Sequence, residues 1–403
     1  MLYPFSKYVN QVNTRNGLIR QKRYRLPDKN EIDLWSEPPM ARTPTNRKST
    51  IYDIAKATGS SISAVSMVLN GTWARYRIKE ETAQRILASA AQLGYNVNMK
   101  ARGLRLSRSG LAGMILPHYR NRFFAGLAET FEDHARNRGL CPIVVSTQRD
   151  PAVEASVTET LISQQVELLF IAGVRNPTPL DALCSAAGIP CINVDLPGAG
   201  APSVVSDNRG GARALADVLM DKMKARGNAP DELLFLGGVT DEYATDMRIA
   251  GYRDAFEARG ISPAADAVEC FGYAASSARL ALARRYESLG RLPAGLLMNS
   301  ITAFEGLVQF ASSLSRDAWQ STVVGCFDWD PFAAHLPFEV TMMRQDVQKI
   351  ISEAFALADK HDDRHDATAH PLVVVPTGFG PMSGEDDRMV EPESVGKVGV
   401  SGL

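Results

Sequence analysis

The segment 50–70, TIYDIAKATGSSISAVSMVLN, constrains the fold more than any other part of the chain. Apolar residues recur at helical spacing on both sides of Gly59, which supplies the backbone freedom that a tight turn needs. Thr50 and Ser61 stand where hydroxyl groups cap helix N-termini. Two short helices joined by a Gly-containing turn form a helix-turn-helix, whose second helix fits the DNA major groove. A plain helical hairpin would show the same periodicity. The rest of the chain is therefore needed to distinguish a DNA-binding helix-turn-helix from such a hairpin.

The charge distribution favours DNA binding. The chain of 403 residues has a net charge of only −1, but residues 1–109 contain 19 Lys and Arg against 7 Asp and Glu. The remainder contains 25 Lys and Arg against 38 Asp and Glu. A basic end on an acidic body is typical of a protein with one polyanion-facing end. An incidental basic tail is the alternative, but the basic excess continues through the helix-turn-helix as far as Arg108.

The body of the chain is predicted to be α/β. A third helix over 79–93 covers the first two, and from Leu111 onward short apolar runs alternate with helical stretches. Such alternation predicts parallel sheets covered on both faces, and its extent predicts two of them with a ligand cleft between. The predicted strands are 111–116, 142–145, 167–173, 190–195, 232–238, 294–300, 321–328 and 371–375. The predicted helices are 123–138, 152–165, 210–225, 245–259, 275–289, 301–313 and 346–358.

Composition argues against several classes of protein. No apolar run approaches the roughly 20 residues of a membrane span, and charges interrupt the N-terminus where a signal peptide would be apolar. We therefore expect a soluble, cytoplasmic protein without a membrane partner. The five cysteines are scattered without a CxxC pair, so neither a metal site nor a disulfide is expected. Neither a phosphate-binding glycine loop nor a catalytic Ser/His/Asp set is recognisable, so we expect no cofactor and no enzyme activity.

Five segments together resemble the LacI family of transcription regulators. They read DIA-x-x-x-G through VLNG, GYN-x-N-x-x-AR-x-L, FFAGLAETFED, SDNRGGARALA and MRIAGYRDAF, and they lie at 53–71, 94–104, 123–133, 206–216 and 247–256. The loop TWARYRI and the segment GLRLSR are most similar to the fructose-repressor branch of that family. The resemblance implies a three-helix helix-turn-helix head, a hinge and a two-lobed body like a periplasmic binding protein. The implied boundaries are an extension 1–48, a head 49–97, a hinge 98–109, a first lobe 110–206 with 346–365, a second lobe 207–344 with 366–380, and a tail 381–403.

The resemblance also implies which residues meet DNA. Ile62, Ser63 and Met67 match positions that face base edges, although a buried, supporting role for Met67 remains open. The hinge residues match positions that enter the minor groove, where a leucine wedge kinks the duplex; a plain linker is the alternative. Paired hinges imply a homodimer, or a tetramer built from it, on a pseudo-palindromic double-stranded operator. The complete DNA-binding set is Thr50, Tyr52, Ser61, Ile62, Ser63, Ser66, Met67, Asn70, Arg77, Asn98, Ala101 and Leu104.

A second set of residues matches the family's effector cleft. Arg248 matches the main effector-binding arginine, whose guanidinium suits hydroxyl, carboxylate or phosphate groups. If Arg122 points inward with His118 and Arg120, the effector is a sugar phosphate or sugar acid; if outward, a neutral sugar fits as well. Leu196 stands where many relatives have arginine, which weakens the cationic alternative. The predicted set is Arg248, Asp328, Asn299, Asp195, Phe123, Phe124, Arg122, Trp329 and Gln345, with Phe327 as a further stacking candidate.

The sequence thus predicts a DNA-binding transcription regulator, and more specifically a repressor. A small carbohydrate-like effector in the cleft between the lobes would change its affinity for the operator. The alternative is a solute-binding protein with the same two-lobed body and no DNA role. The basic head and the absence of a recognisable secretion signal favour the regulator.

Overall fold

The computed structural model describes residues 49–95, 108–360 and 370–380. The chain divides into two compact units, Met1–Val97 and Asn98–Leu403. The expectations for the extension 1–48, for the hinge residues Asn98, Ala101 and Leu104, and for the tail 381–403 fall outside the described residues.

The first unit has three helices in its described part. They are α1 (Ile51–Thr58), α2 (Ile62–Leu69) and α3 (Glu80–Gln92). Gly59 ends α1 in the left-handed conformation at φ 64°, and the Ser61 hydroxyl accepts from the Ala64 backbone N–H at 3.1 Å to begin α2. The predicted helix-turn-helix followed by a supporting helix is therefore present.

One small core holds these helices together. Buried residues from α1, α2 and α3 meet in it, and they are Ile54, Ala55, Val65, Val68, Ala83, Ile86 and Ala90. Because these side chains occupy one face of each helix, the opposite face of α2 is left in solvent. The core thus fixes α2 as a presented helix instead of a central one.

The second unit contains two α/β lobes. The first lobe has a parallel sheet of β1 (Leu111–Leu116), β2 (Cys141–Ser146), β3 (Leu168–Ala172), β4 (Cys191–Val194), β5 (Ser203–Ser206) and β11 (Leu372–Val375). The strand order is β11-β5-β4-β3-β1-β2. The helices of this lobe are α4 (Arg122–Asn137), α5 (Pro151–Ser163), α6 (Thr178–Ala186) and α11 (Val347–Asp359).

The second lobe repeats this plan. Its strands are β6 (Leu233–Leu236), β7 (Val268–Glu269), β8 (Gly295–Met298), β9 (Val323–Phe327), β10 (Val340–Gln345) and β12 (Thr377–Phe379), in the order β12-β10-β9-β8-β6-β7. Only β12 runs antiparallel to its neighbour among these strands. Its helices are α7 (Asn208–Ala225), α8 (Tyr243–Ala258), α9 (Ala275–Leu289) and α10 (Ile301–Ala311). The α/β class with a three-helix head and two parallel-sheet lobes is confirmed.

The chain crosses between the lobes at Asp207, Asp346 and Pro376. The third crossing lies after β11, later in the chain than expected. We expected 366–380 to belong wholly to the second lobe, whereas Leu372–Val375 pairs in parallel with Ser203–Ser206 of the first sheet. That assignment is corrected: the chain returns to the second lobe only at Pro376, because β11 completes the first sheet beside β5.

Several short elements escaped the sequence patterns. The strands β5, β7, β10 and β12 and the helix α6 were not predicted. In β10 the apolar pair Met342 and Met343 is flanked by Thr341 and Arg344, so the run resembles a loop until it pairs with β9. Such strands are defined by their neighbours in space more than by their own residues.

Among the residues that the structure describes, no helix combines the length and the apolar character that crossing a membrane requires.

Candidate functional site

The exposed face of α2 is the candidate DNA-reading surface. Ile62 is 40% exposed, Ser63 is exposed, and Met67 is partly exposed. Met67 is therefore not a buried core residue, which disfavours the purely supporting role. Serine can bond several base edges and the apolar pair can contact a thymine methyl, so the surface offers few hydrogen bonds for reading sequence.

The residues expected to contact phosphate surround this helix. Tyr52 is 65% exposed and Arg77 is exposed, so both are available to a DNA backbone. Asn70 is committed within the protein, since its side-chain amide donates to the Ser66 carbonyl at 2.7 Å and lies 3.3 Å from the Ser66 hydroxyl. It ends α2 while remaining partly exposed. These roles on DNA remain predictions.

The cap of α1 is a capping box between Thr50 and Asp53. The Thr50 hydroxyl donates to the Asp53 carboxylate at 2.7 Å, and that carboxylate also accepts the Thr50 backbone N–H at 2.7 Å. Asp53 therefore takes part in both bonds, and an acid in the first turn also suits the helix dipole. The predicted helix start at Thr50 is right, and Asp53 bonds back to Thr50 as its reciprocal partner in the cap.

A cavity of about 530 Å³ lies in the second unit, at the carboxyl ends of strands from both lobes. Parallel sheets place ligand sites at this edge. The structure brings six of the nine predicted effector residues to its wall: Arg248, Asp328, Asp195, Gln345, Phe123 and Phe124. His118 and Arg120 also line it, but Arg122 does not. The cavity therefore unites residues that lie more than 200 positions apart in the sequence.

Arg248 is the buried cation of the cavity. It lies on α8, is 4% exposed, and donates from Nε to Asn208 Oδ1 at 2.8 Å and from Nη1 to the Asn299 carbonyl at 2.5 Å. Its guanidinium stacks over the Phe327 ring at 3.8 Å from the centroid. These contacts fix the orientation of the guanidinium before any ligand arrives.

Asp328 is linked to both places where the chain crosses between the lobes near it. The Gln345 side-chain amide donates to Asp328 Oδ1 at 2.5 Å, and the Ser206 hydroxyl donates to Gln345 Oε1 at 2.6 Å. Gln345 and Ser206 directly precede the crossings at Asp346 and Asp207. Burial raises the pKa of Asp328, while Arg248 and the Gln345 and Ile301 hydrogen bonds oppose that rise. A ligand that binds this carboxylate would therefore act on the crossings themselves.

Asp195 faces the cavity from the first lobe with an uncommitted carboxyl group. It is 6% exposed, has φ 73°, and its carboxylate accepts no hydrogen bond from the described residues. Burial raises its pKa to about 7, against the lowering effects of Arg248 and Arg149. A buried carboxyl without partners is costly, so a donor from a ligand would stabilise it.

Three predicted residues stand outside the cavity wall. Arg122 points outward and pairs from Nε with Asp330 Oδ2 at 3.1 Å, which joins the lobes at an exposed position. Trp329 lies under Arg122 and Arg344, with centroid distances of 5.9 and 5.4 Å. Asn299 lies behind Arg248 and is fully buried. Phe327 is fully buried against Arg248, which leaves it unavailable for stacking on a ligand.

The sequence analysis missed a buried cluster at the cavity wall. Glu242, just before α8, is 3% exposed and accepts from Arg149 Nη1 of the first lobe at 2.8 Å and from the Tyr273 hydroxyl. Arg175 Nε, also from the first lobe, lies 4.0 Å from the same carboxylate. Arg149 has φ 59°, an unusual conformation for arginine, and positive φ in a loop after a strand has no signal in the sequence. We refer to Glu242, Arg149, Arg175 and Tyr273 as the Glu242 cluster.

Both units of the chain match models of known protein families. Residues 50–98 match the family model described as bacterial regulatory proteins, lacI family, and residues 112–286 match the model of a periplasmic binding protein domain. The chain is 41% identical to the ribitol operon repressor of Klebsiella aerogenes over 213 residues, which cover 51% of this chain and 79% of that protein. It is 26% identical to the fructose operon regulatory protein of Vibrio cholerae over 313 residues, covering 77% and 93% of the two chains.

A solved structure shows the same fold. The lac repressor dimer bound to operator and the anti-inducer ONPF superposes with a TM-score of 0.65 at 19% identity, over 83% of this chain and 98% of that chain.

Proposed function

The chain belongs to the LacI family of bacterial regulatory proteins, and on that premise we propose that it is a transcription repressor controlled by a small polyol or sugar. The effector binds in the cavity between the lobes and changes the affinity for an operator. The ribitol operon repressor and the fructose and sucrose operon regulators among its relatives support a carbohydrate-like effector.

The DNA half of the proposal is supported by the exposed face of α2 and by the basic charge of residues 1–109. We propose that the protein binds a pseudo-palindromic operator as a homodimer, with Tyr52 and Arg77 on phosphates and Ile62 and Ser63 on bases. The hinge 98–109 would enter the minor groove between the half-sites. The named relatives are transcription regulators, and we propose a regulatory, non-enzymatic role in the cytoplasm, where the DNA is.

One observation carries the coupling of effector to DNA. The chain of hydrogen bonds from Asp328 through Gln345 to Ser206 ties the cavity to two segments that cross between the lobes. A ligand hydroxyl that donates to Asp328 competes with Gln345, so occupancy changes how the crossings are held. Binding of effector and of DNA are then thermodynamically linked, with a coupling factor of typically about 5–150-fold.

The test uses the full chain. Selection from random duplexes, followed by fluorescence anisotropy on the selected sequence, should give salt-sensitive and sequence-dependent binding. Sugars and polyols added one at a time should identify a compound that changes this affinity. Binding that shows no sequence preference would contradict the repressor proposal.

The alternative is a solute-binding protein without a DNA role, since the two-lobed body is common to both classes. It would bind a sugar while the selection yields no duplex. The lacI-family match over 50–98 and the exposed α2 favour the repressor.

A further inference from the structure

The Glu242 cluster joins the two lobes at the cavity wall. Glu242 reaches from the second lobe to two arginines of the first lobe, with Arg149 Nη1 at 2.8 Å and Arg175 Nε at 4.0 Å from its carboxylate. The Tyr273 hydroxyl from the second lobe donates to it as well, and the Tyr273 ring lies under Arg149 at 5.0 Å from its centroid. The Glu242 side chain is only 2% exposed and that of Arg149 is 21% exposed, so their contact is largely shielded from water, whereas the Arg175 side chain is 52% exposed.

A carboxylate bonded to Arg149 and close to Arg175 occupies the place beside these cations that a ligand phosphate or carboxylate would take. Bidentate and paired arginines are the usual recognition elements for such anions. Here the protein supplies the anion itself. Arg149 is thereby neutralised on the cavity wall, and its guanidinium is not available to an incoming negative charge.

The other charged groups of the cavity wall also disfavour an anionic ligand. The described lining holds three arginines, Arg120, Arg149 and Arg248, against four acids, Asp195, Glu242, Glu305 and Asp328. Arg248 already donates to Asn208 and to the Asn299 carbonyl and lies near Asp328 and Asp195. The pKa of His118 is lowered by burial and then by Arg149 and Arg120, so its imidazole is mainly neutral at neutral pH. A phosphate dianion entering the cavity would meet the carboxyl groups of Asp195 and Asp328. Arg149 and Arg248 of the described lining are already bonded within the protein, and Arg120 is exposed.

We propose that Glu242 is a specificity-determining residue that restricts the cavity to uncharged polyhydroxy compounds and excludes their phosphate esters and acids. The proposal rests on the proposed effector role of the cavity and narrows it. Asp195 and Asp328 accept hydrogen bonds from ligand hydroxyl groups, while Glu242 occupies Arg149 and lies beside Arg175, so that an anion cannot pair with them.

A gain-of-function variant tests this directly. Glu242→Gln keeps the size and the hydrogen-bond acceptor for Tyr273 but removes the charge, so Arg149 and Arg175 become free to bind an anion. Inorganic phosphate should then raise the melting temperature by about 2–4 °C relative to sodium chloride of equal ionic strength. The wild-type protein should show no such difference. Asp241→Asn is the matched control, because it removes an exposed neighbouring carboxylate outside the cavity lining and should behave like wild type.

The second measurement compares ligands by calorimetry: ribitol, ribitol 5-phosphate and ribonate, chosen as one uncharged and two anionic forms of one carbon skeleton. The wild type should bind the uncharged form at least about tenfold more tightly, since tenfold corresponds to about 1.4 kcal/mol. Glu242→Gln should reduce or reverse that ratio, and Asp241→Asn should not change it.

The outcomes separate the two proposals. A wild-type protein that prefers an anionic form, or a folded Glu242→Gln variant that ignores phosphate, overturns the role of Glu242 and leaves the repressor proposal standing. If no polyol or sugar changes operator binding, the effector proposal is contradicted instead. The response of the Glu242→Gln variant to phosphate still tests the role of Glu242. If the variant fails to fold, the wild-type protein tests the proposal by itself: tighter binding of ribitol than of ribitol 5-phosphate and ribonate supports it, and the opposite order overturns it.

Discussion

The two regions of this protein that are proposed to bind ligands are built in opposite ways. The reading face of α2 consists of exposed side chains, Ile62 and Ser63 among them, that make few contacts within the protein. The cavity between the lobes consists of buried charged and polar groups, such as Arg248 and Asp328, that are bonded to several distant segments. One surface is carried by a small local core, and the other exists only after two sheets have formed.

This difference predicts how each region responds to substitution. Exposed residues on α2 can change without disturbing the helices, because the apolar core beneath them is made of other residues. Buried residues of the cavity serve stability and ligand binding together, because removing one partner leaves another charge or polar group unpaired. The following substitutions test that contrast.

Arg248→Met should have the largest effect. It removes a buried cation from near Asp328 and Asp195 and leaves Asn208 Oδ1 and the Asn299 carbonyl without their donor, and each buried polar group left unpaired typically costs about 1–3 kcal/mol. We expect the free energy of unfolding in urea to fall by that order and any effector-induced change in operator affinity to disappear. Arg209→Met is the control, since Arg209 forms an exposed pair with Asp254 and its loss should be nearly neutral. Equal effects of the two substitutions would contradict the contrast.

Asp195→Asn should change how stability depends on pH. The pKa of Asp195 is about 7 in the folded protein, above its usual value near 4 in the unfolded chain. The folded state therefore binds more protons between about pH 4 and pH 7, and this group makes the protein less stable as pH rises through that window. Asparagine does not titrate, so the variant does not lose stability in this way. Its free energy of unfolding relative to wild type should therefore increase by up to about 1.4 kcal/mol per pH unit between about pH 4 and pH 7.

Urea unfolding at a series of pH values measures this difference, and taking the variant minus wild type cancels the contributions of other buried acids. A constant difference between pH 4 and pH 8 would show that folding does not shift the pKa of this carboxyl group. Saturating effector should reduce the wild-type slope, because hydroxyl donors favour the ionised carboxylate.

Replacing Ile62 and Ser63 together by alanine should have the smallest effect on stability. The double variant removes an apolar contact and a hydroxyl from the reading face, and we expect operator affinity to fall by about tenfold, or about 1.4 kcal/mol. Unfolding and effector binding should be unchanged, since both side chains are exposed. Gln92→Ala on α3, also exposed, is the control and should leave DNA affinity intact. Unaltered affinity in the double variant would mean that α2 does not face the bases.

The sequence by itself determined the head. Capping residues, the turn at Gly59 and the apolar spacing of Ile54, Val65 and Val68 are all local signals, and each has its place in the structure. Long apolar strands such as Leu168–Ala172 were equally recognisable, because a buried parallel strand is apolar throughout. The family resemblance then located Arg248, Asp328, Asp195 and Gln345, all of which line the cavity.

Only the tertiary structure decided the rest. That Leu372–Val375 joins the first sheet, and that Val340–Gln345 is a strand at all, depends on pairing with distant segments. The outward direction of Arg122 follows from Asp330, about 200 residues later in the chain. The Glu242 cluster joins segments from the two lobes, and no spacing in the sequence predicts it. Contacts of this kind form only where the two lobes meet, so the arrangement of charges around the cavity is a property of the folded protein.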